Sequence, residues 1–329
     1  MKAYLANLDK IINRGDLIEN DRSGTGMFSL IGLNEQYSLF NGELPLITTR
    51  KINFTKTLSE LIWFLKGDSN VQYLKEKQVP FWTKWTSPIT QDIGPMYPVL
   101  WRRKPEVTSK LYSNGVRKEL KYEIIQVDQI KRILESIEKH PFSRRHYLSN
   151  IAIGLNPEES VSPIENVEKG RMALDTCHQV FYLNVRKLHP VEMKKVIEYR
   201  KAQSHAFDEV DNRPLPQYRL DTMLQMRSND VMVGKPHNIA QYSALTFIIA
   251  HVLNLHPGSY THSVNDSHVY LSHHKEALEQ LTREPYPLPK LYLSQALTKE
   301  ALLKGELSEE MFQLVGYQSH PFIRLSLEG

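Results

Sequence analysis

The sequence predicts one α+β domain with inserted loops. Segments with apolar residues at helical spacing, such as 2–14 and 55–66, share the chain with strand-like runs such as 180–185. We find no internal repeat, low-complexity tract or linker in the 329 residues. The helices and strands are therefore expected to pack around one common core.

The composition points to a cytoplasmic protein with a sizeable core. Hydrophobic residues make up 41% of the chain, and the net charge of +4 suits a small anionic substrate better than nucleic acid. The single cysteine cannot form an internal disulfide, and neither a signal peptide nor a membrane-length apolar run is visible. We therefore expect cytoplasmic localisation (host cytoplasm for a viral protein), no membrane partner and no requirement for nucleic acid.

Helices and strands alternate in the first half of the chain. Tyr4, Leu8 and Ile11 share one helical face ahead of Gly15, and residues 28–39 are strand-like. The other segments predicted here are a helix over 55–66 capped by Thr55 or Thr57 and ended by Gly67, an exposed insertion near 104–121, and an amphipathic helix over 125–139.

The second half carries longer loops. Polar segments near 155–170 and 206–219 lack a sustained apolar period and are expected as loop insertions. The elements predicted around them are strands over 180–185 and 224–230, helices over 191–206 and 234–255, and a strand region after Pro285, Pro287 and Pro289.

The only cysteine, Cys177, lies in the stretch ALDTCHQ (173–179) and precedes a histidine. A free cysteine often behaves as a small buried apolar side chain. A cysteine held as thiolate is instead a nucleophile. The stretch alone fits both interpretations, so the choice depends on groups elsewhere that could activate a thiol.

Other candidate residues also have two interpretations. Glu60 lies among the apolar residues of a predicted helix. It is either partly buried, in which case burial would raise its pKa and suit it to proton transfer, or exposed on the helix surface. Arg22, in a glycine-containing loop, is a phosphate ligand or a solvated turn residue. Adjacent Arg144 and Arg145 bind an anion or remain solvated, and the aromatic group 81–85 stacks on a heterocycle or fills the core. No second cysteine and no HExxH pair accompany the 13 histidines, so no metal site is expected.

A set of short motifs recurs in a fixed order along the chain. They are DRSGTG (21–26), SELIWFLKGD (59–68), FWTKW (81–85), DIGPMY (92–97), SRR (143–145), MALDTCH (172–178), RSND (227–230), NIAQY (238–242), HVY (268–270) and REPYPLPKL (283–291). Each motif is weak alone, but their order and spacing are specific. Together they resemble the thymidylate synthase family, and the resemblance covers most of the chain.

The resemblance implies a fold in which helices flank a large twisted mixed β-sheet that forms a homodimer interface. It implies transfer of a one-carbon unit from the cosubstrate 5,10-methylenetetrahydrofolate to C5 of the substrate dUMP. Cys177 would add as thiolate to C6 of the uracil ring. Arg227 would lie near the sulfur and lower the pKa of the thiol.

The resemblance also implies roles for other residues. Asn238 would read the base, because its amide offers a donor and an acceptor that match uracil O4 and N3–H. The implied dUMP-binding residues are Arg22, Arg227, Ser228, Asn238, His268 and Tyr270, joined by Arg144 and Arg145 from the other subunit. The further catalytic residues implied are Glu60, Tyr97, His178 and Asp230, and the folate would contact Trp82, Trp85, Asp230 and Gly234.

Several positions depart from the family pattern. Thr176 replaces a proline and Pro98 replaces a glycine. Lys235 and His237 stand where apolar residues normally face the folate, and the tail 321–329 lacks the usual small apolar ending. A wetter folate side would fit the related deoxyuridylate hydroxymethylases, which add water to the methylene carbon and release tetrahydrofolate.

Three functions therefore stay open at the level of the sequence. The favoured one is a synthase that produces dTMP and dihydrofolate. The alternative is a hydroxymethylase that produces 5-hydroxymethyl-dUMP. The third is a non-catalytic nucleotide-binding relative.

Overall fold

A mixed β-sheet forms the centre of the fold. The computed structural model describes residues 1–19, 24–113 and 117–328, and in these ranges the strands are β1 (Asp16–Ile18), β2 (Met27–Ser38), β3 (Lys104–Ser113), β4 (Lys118–Val127), β5 (Tyr147–Ser149), β6 (His178–Lys187), β7 (Tyr218–Asp230), β8 (His256–Tyr270), β9 (Lys290–Leu293) and β10 (Phe312–Val315). Six of these strands form the main sheet in the order β1-β2-β8-β7-β6-β5. Its β7–β8 pair is parallel and its other neighbours are antiparallel.

The helices of the described ranges surround this sheet. They are α1 (Lys2–Arg14), α2 (Phe54–Lys66), α3 (Gln72–Glu76), α4 (Tyr97–Arg103), α5 (Gln129–Lys139), α6 (Pro163–Glu168), α7 (Met193–Phe207), α8 (Gly234–Val252), α9 (His274–Leu281) and α10 (Lys299–Lys304). Helix α8 packs on β7 and β8, and α2 packs on α8 and α4. Because α8 lies between the sheet and α2, nearly all of its residues are buried. The predicted α+β class and the mixed sheet flanked by helices are confirmed.

The two faces of the main sheet have different surroundings. Side chains alternate between the faces along each strand. One row of residues paired in register across β6, β7, β8 and β2 lies buried toward the helices and consists of Phe181, Leu224, His262 and Glu35. The next row faces the other way, is partly exposed in the single chain, and consists of Tyr182, Met223, Thr261 and Gln36.

The predicted helix over 55–66 begins one residue earlier and has a different cap. Asn53, not Thr55 or Thr57, is the N-cap, because its side-chain oxygen accepts a hydrogen bond from the Lys56 amide at 3.2 Å. At the other end Gly67 adopts the left-handed conformation, with φ of 77°, which confirms the predicted stop.

The segment near 104–121 forms strands rather than a loop. β3 pairs antiparallel with β4 in a hairpin whose strands both remain largely exposed. The hairpin continues to Val127, so the helix predicted to begin at residue 125 begins at Gln129 instead. Asp128 caps that helix by accepting a hydrogen bond from the Lys131 amide.

The other two predicted loops differ from each other. The segment 155–170 contains helix α6, which Ser162 caps and Pro163 opens, so the expectation of a loop is wrong for its second half. Residues 209–217 are irregular, and the carboxylate of Asp211 anchors them through ion pairs with Arg200 and Arg213.

Candidate active site

A cavity of about 780 Å³ opens where the start of β6, the end of β7 and the start of α8 meet. That volume suits a small-molecule site. The predicted site residues that line it are Glu60, Trp82, Trp85, Tyr97, Cys177, His178, Arg227, Ser228, Asp230, Gly234, Asn238, His268 and Tyr270. The fold thus brings residues from distant parts of the sequence to one space.

Three predicted dUMP ligands are not among the lining residues. Arg22 lies outside the residues that the structure describes. Arg144 and Arg145 are exposed on the single chain and do not line its cavity. Their contribution to a partner subunit's site therefore stays a prediction.

Cys177 lies just before β6, and its backbone is held on both sides. Its amide donates a hydrogen bond to the Tyr97 hydroxyl at 2.9 Å, and its carbonyl accepts one from the Arg227 amide at 2.8 Å. The guanidinium Nη2 of Arg227 is 3.6 Å from the Cys177 sulfur, and its Nε is 3.4 Å from a carboxylate oxygen of Asp175. A cation at this distance stabilises the thiolate, which is the nucleophilic form.

Glu60 is a buried carboxyl group rather than a helix-surface glutamate, with 7% of its surface exposed. One oxygen accepts a hydrogen bond from the Trp82 indole at 2.7 Å, and the other accepts one from the Gln241 amide at 3.1 Å. Burial raises the pKa of Glu60 to about 7 despite these two donors. Glu60 can therefore both give and take a proton near neutral pH.

Asn238 is held by its neighbours at both ends of its amide. Its Nδ2 is 2.9 Å from His178 Nε2, and its Oδ1 accepts a hydrogen bond from the Asn229 amide at 2.9 Å. Burial lowers the pKa of His178 to about 3, so this imidazole is neutral. Its Nε2 accepts from Asn238, and its Nδ1–H therefore donates to the Tyr242 hydroxyl 3.1 Å away. Asn238 keeps one N–H and one lone pair for a ligand.

A second polar group lies at the ends of β7 and β8. The hydroxyl of Ser228 is 3.4 Å from His268 Nδ1, and the same nitrogen is 3.2 Å from a carboxylate oxygen of Asp266. The hydrogen bond from His268 lowers the pKa of Asp266. The ring of Tyr270 contacts the His268 ring edge-on at 5.1 Å. These side chains present hydroxyl and imidazole groups, which suit a sugar hydroxyl or a phosphate.

Asp230 shapes the turn between β7 and α8. One of its carboxylate oxygens accepts hydrogen bonds from the Met232 amide at 2.9 Å and the Val233 amide at 3.1 Å. Gly234 then begins α8, with Asn238 one turn further on. Asp230, Gly234 and Asn238 consequently face the same cavity.

Aromatic rings form one wall of the cavity. Trp82 and Trp85 meet edge-on with ring centroids 6.1 Å apart. His237 also lies on this wall, with its ring 4.8 Å from that of Phe81 and its Nδ1 2.6 Å from the Thr57 hydroxyl. Burial lowers the pKa of His237 to about 4, so it contributes a neutral ring. A flat heterocycle can stack on such a wall.

The C-terminal tail covers the cavity with apolar side chains. Its lining residues are Phe322, Ile323, Leu325 and Leu327. Arg283 donates a hydrogen bond to the Pro321 carbonyl at 2.9 Å, and His273 Nε2 lies 3.0 Å from the Ser326 carbonyl. The tail therefore supplies an apolar cover, although it lacks the small apolar ending of the family.

At two of the positions that depart from the family pattern, the side chain points away from the cavity. The Lys235 side chain is 1% exposed and forms an ion pair with Glu35, so the expectation that it faces the folate is wrong. The Thr176 hydroxyl donates a hydrogen bond to the Asn150 carbonyl at 3.1 Å. Pro98 lies in the first turn of α4, where its missing N–H has no helical partner to lose.

Sequence reasoning missed several residues that hold the predicted ones in place. Asn229 binds Asn238, Tyr242 binds His178, Gln241 binds Glu60, and Asp266 binds His268. Helical spacing gave a signal for Gln241, because it lies three residues after Asn238 and so on the same side of α8. The contact between Asn229 and Asn238 depends on the turn after β7 and had no such signal.

The comparison with protein families agrees with the geometry of the site. A family model described as Thymidylate synthase matches residues 2–328. The chain belongs to the thymidylate synthase family, whose enzymes transfer a one-carbon unit to dUMP and use a methylenetetrahydrofolate cosubstrate.

Across residues 1–19, 24–113 and 117–328, no cluster of His, Cys, Asp and Glu side chains is arranged to hold a metal ion. In the same ranges, no helix combines the length and apolar character needed to cross a bilayer.

Proposed function

We propose that this enzyme methylates C5 of dUMP, using 5,10-methylenetetrahydrofolate, and releases dTMP and dihydrofolate. The observation that carries the proposal is the guanidinium of Arg227 at 3.6 Å from the Cys177 sulfur, with both residues lining the cavity. A thiolate stabilised in this way can attack an electron-poor ring carbon. The neighbouring Asn238 amide matches uracil, which makes C6 of the uracil ring the target.

Cys177 starts the reaction by forming a bond from its sulfur to C6 of dUMP. The electron pair of the C5–C6 double bond moves toward C5 and O4. The remaining N–H of Asn238 and a proton controlled by Glu60 stabilise the charge on O4, since the pKa of Glu60 is about 7. Breaking the C6–sulfur bond at the end restores the double bond and the thiolate.

Tyr97 acts chiefly by positioning. Its hydroxyl accepts hydrogen bonds from the amides of Cys177 at 2.9 Å and His178 at 3.3 Å. Burial raises the pKa of Tyr97 far above its usual value, so the phenol keeps its proton at neutral pH. Tyr97 therefore holds the nucleophile in place and, as a neutral phenol, assists loss of the C5 proton to water by hydrogen bonding rather than as the base.

The aromatic wall fits the pterin of the folate. Trp82 and Trp85 offer faces and edges for stacking, and Asp230 offers a carboxylate for N–H groups. When bound, methylenetetrahydrofolate supplies the one-carbon unit and, for methyl formation, a hydride. The chain contributes the apolar cover of Phe322, Ile323 and neighbouring tail residues, which keeps water from the carbon to be reduced.

The hydroxymethylase remains the second candidate, and one observation favours it. His237 places a polar ring on the folate wall, hydrogen-bonded to Thr57, where it could orient a water molecule. The buried position of Lys235 removes the other polar group that the sequence suggested there. The apolar tail favours methyl formation.

The activity is tested with dUMP tritiated at C5. The enzyme with methylenetetrahydrofolate should release tritium to water, whereas Cys177→Ser should release none above background, because serine at neutral pH is a far weaker nucleophile. The Cys177→Ser variant should still bind dUMP within about threefold of the parent, because the phosphate and base contacts remain. Tritium release by Cys177→Ser at the parental rate would contradict the mechanism.

We also propose a homodimer formed through the partly exposed face of the main sheet. Tyr182, Met223 and Thr261 give that face mixed apolar and polar character, which suits an interface. Exposed Arg144 and Arg145 would then reach the phosphate in the partner's cavity. Such an arrangement makes each site depend on both subunits.

Complementation tests the shared site. Cys177→Ser and the double variant Arg144→Ala with Arg145→Ala should each be inactive. Mixing and refolding them should recover up to about a quarter of parental activity, because half of the sites in mixed dimers combine an intact Cys177 with intact arginines. Absence of recovery in proven mixed dimers would contradict the shared site.

A further inference from the structure

A line of polar side chains runs from Asn238 into the core of the protein. Asn229 donates from Nδ2 to Asn238 Oδ1 at 2.9 Å, and its own Oδ1 is 3.0 Å from His262 Nε2. His262 Nδ1 is in turn 2.7 Å from the Tyr260 hydroxyl. On the far side of Asn238 the line continues to His178.

These hydrogen bonds all run in one direction. The Oδ1 of Asn229 can only accept, so His262 donates from Nε2–H. Burial, helped by the charge of nearby Lys235, lowers the pKa of His262 well below its ordinary value and keeps the ring neutral. A neutral imidazole has one donor and one acceptor nitrogen, so His262 Nδ1 accepts the proton of Tyr260. Each residue therefore fixes the orientation of the next.

Steric packing does not explain why polar residues occupy these positions. His262 lies on the helix-covered face of the sheet, where its register neighbour Leu224 is apolar and fully buried. Tyr260 and His262 are themselves 0% exposed, and Asn229 is 4% exposed. An apolar residue at such positions would avoid the free-energy penalty of burying polar groups. The polar line has a role other than packing.

We propose that Asn229, His262 and Tyr260 are positioning residues that set the preference for dUMP over dCMP by fixing which end of the Asn238 amide faces each neighbour. The proposal rests on the proposed function, in which Asn238 reads the pyrimidine. Uracil presents an acceptor at O4 and a donor at N3, whereas cytosine presents a donor at N4 and an acceptor at N3. Turning the amide over exchanges its N–H and its oxygen, and so exchanges the base that it matches.

Without the three positioning residues both amide orientations would be available. Neutral His178 can accept an N–H from Asn238 or, as its other tautomer, donate to the Asn238 oxygen. His178 alone therefore does not decide the orientation. The donor from Asn229 decides it, and the chain through His262 to Tyr260 keeps Asn229 from turning over itself.

Asn229→Asp is the most direct test, because aspartate has the same shape but only accepts hydrogen bonds when ionised. It should draw the Asn238 N–H toward residue 229 and turn the amide over. We expect the ratio of kcat/KM for dUMP to that for dCMP to fall by at least about tenfold. A general structural defect would lower both values together. An unchanged ratio in folded Asn229→Asp would overturn the proposal.

Tyr260→Phe provides a second test that leaves the amides intact. Without the Tyr260 hydroxyl, His262 can adopt either neutral tautomer, and the Asn229 amide can then turn over. The ratio of kcat/KM for dUMP to that for dCMP should therefore fall by at least about threefold. The matched control is Tyr199→Phe, which removes a hydroxyl bound to the Leu291 carbonyl at 3.2 Å outside the line. The control should leave the ratio unchanged. Equal ratios in Tyr260→Phe and Tyr199→Phe would contradict the proposal even if Asn229→Asp failed to fold.

The parent enzyme separates this proposal from the proposed function. Tritium release from dUMP but not from labelled dCMP supports the role of Asn238, and the variants then test its positioning. If the parent prefers dCMP, the assigned base preference fails whatever the variants show. Calorimetric binding of dUMP and dCMP to each variant gives the ratio of the two dissociation constants, which reports base preference in binding where turnover is too slow to measure.

Discussion

The reactivity that we propose for Cys177 depends on residues that are distant in the sequence. Arg227, on β7, lies 3.6 Å from the sulfur, and the Tyr97 hydroxyl on α4 holds the Cys177 amide. Burial keeps the rings of His178 and His237 neutral, so they carry no positive charge. We therefore assign the stabilisation of the thiolate to Arg227. At this scale the chemistry depends on which charges are retained near the sulfur and which are removed by burial.

Glu60 should make the stability of the protein depend on pH. Its pKa is raised by burial from 4.5 to about 7 in the folded state, so folding is favoured by proton uptake. The added stability is complete below about pH 4.5 and is lost as the pH rises through about 7, a change of roughly 3 kcal/mol. Glu60→Gln should remove this component, as measured by urea unfolding at pH 5 and pH 8 at one protein concentration. The same pH dependence in Glu60→Gln would assign it to another group.

The buried pair of Lys235 and Glu35 should be costly to break from one side only. Their side chains are 1% and 0% exposed, and Glu35 also binds Asn7 and Tyr37. Lys235→Met should lower the free energy of unfolding by about 3–5 kcal/mol, because it leaves a buried carboxylate without its cation. Adding Glu35→Gln should recover at least about half of that loss. A double variant less stable than Lys235→Met alone would show that the charge is not what destabilises it.

Among the structural elements, the C-terminal tail and the β3–β4 hairpin differ in their position relative to the cavity. The tail after Pro321 lies on the cavity and is tied down through Arg283 and His273. The hairpin pairs only its own two strands in a separate sheet, and its exposed apolar residues include Val107, Leu111, Leu120, Tyr122 and Ile124. The tail thus lines the cavity, whereas the described residues of the hairpin do not.

The apolar tail should control water access during the reaction. Phe322→Ser with Leu327→Ser should lower dTMP formation by at least about tenfold and change dUMP binding by less than about threefold, because the cover lies on the folate side. The matched control is Leu278→Ser with Val315→Ser, which replaces exposed apolar residues that do not line the cavity. Chromatography of the products quantifies dTMP. Equal losses in both pairs would mean that the tail residues act through stability alone.

For the whole molecule, the sequence predicted the fold class and most of the cavity, because those depend on long periodic segments and on local motifs. The contact of Lys235 with Glu35 is one that the sequence could not predict. The residue belongs to α8 as predicted, but its partner Glu35 is brought to it by the pairing of β2 with β8. Thr176 likewise points to Asn150, not to the cavity. The helix predicted over 125–139 exists from Gln129, but its predicted start was wrong because apolar residues of an exposed hairpin resembled a helical face.

We propose that Cys177 and the apolar cavity around it convert dUMP to dTMP. Mass spectrometry of the nucleotide formed from dUMP and methylenetetrahydrofolate is the decisive measurement, with the folate product measured in the same reaction. We expect a methylated nucleotide and dihydrofolate in equal amounts. A product one oxygen heavier with tetrahydrofolate would identify a hydroxymethylase, and unchanged dUMP with folded, ligand-binding protein would contradict the enzymatic role altogether.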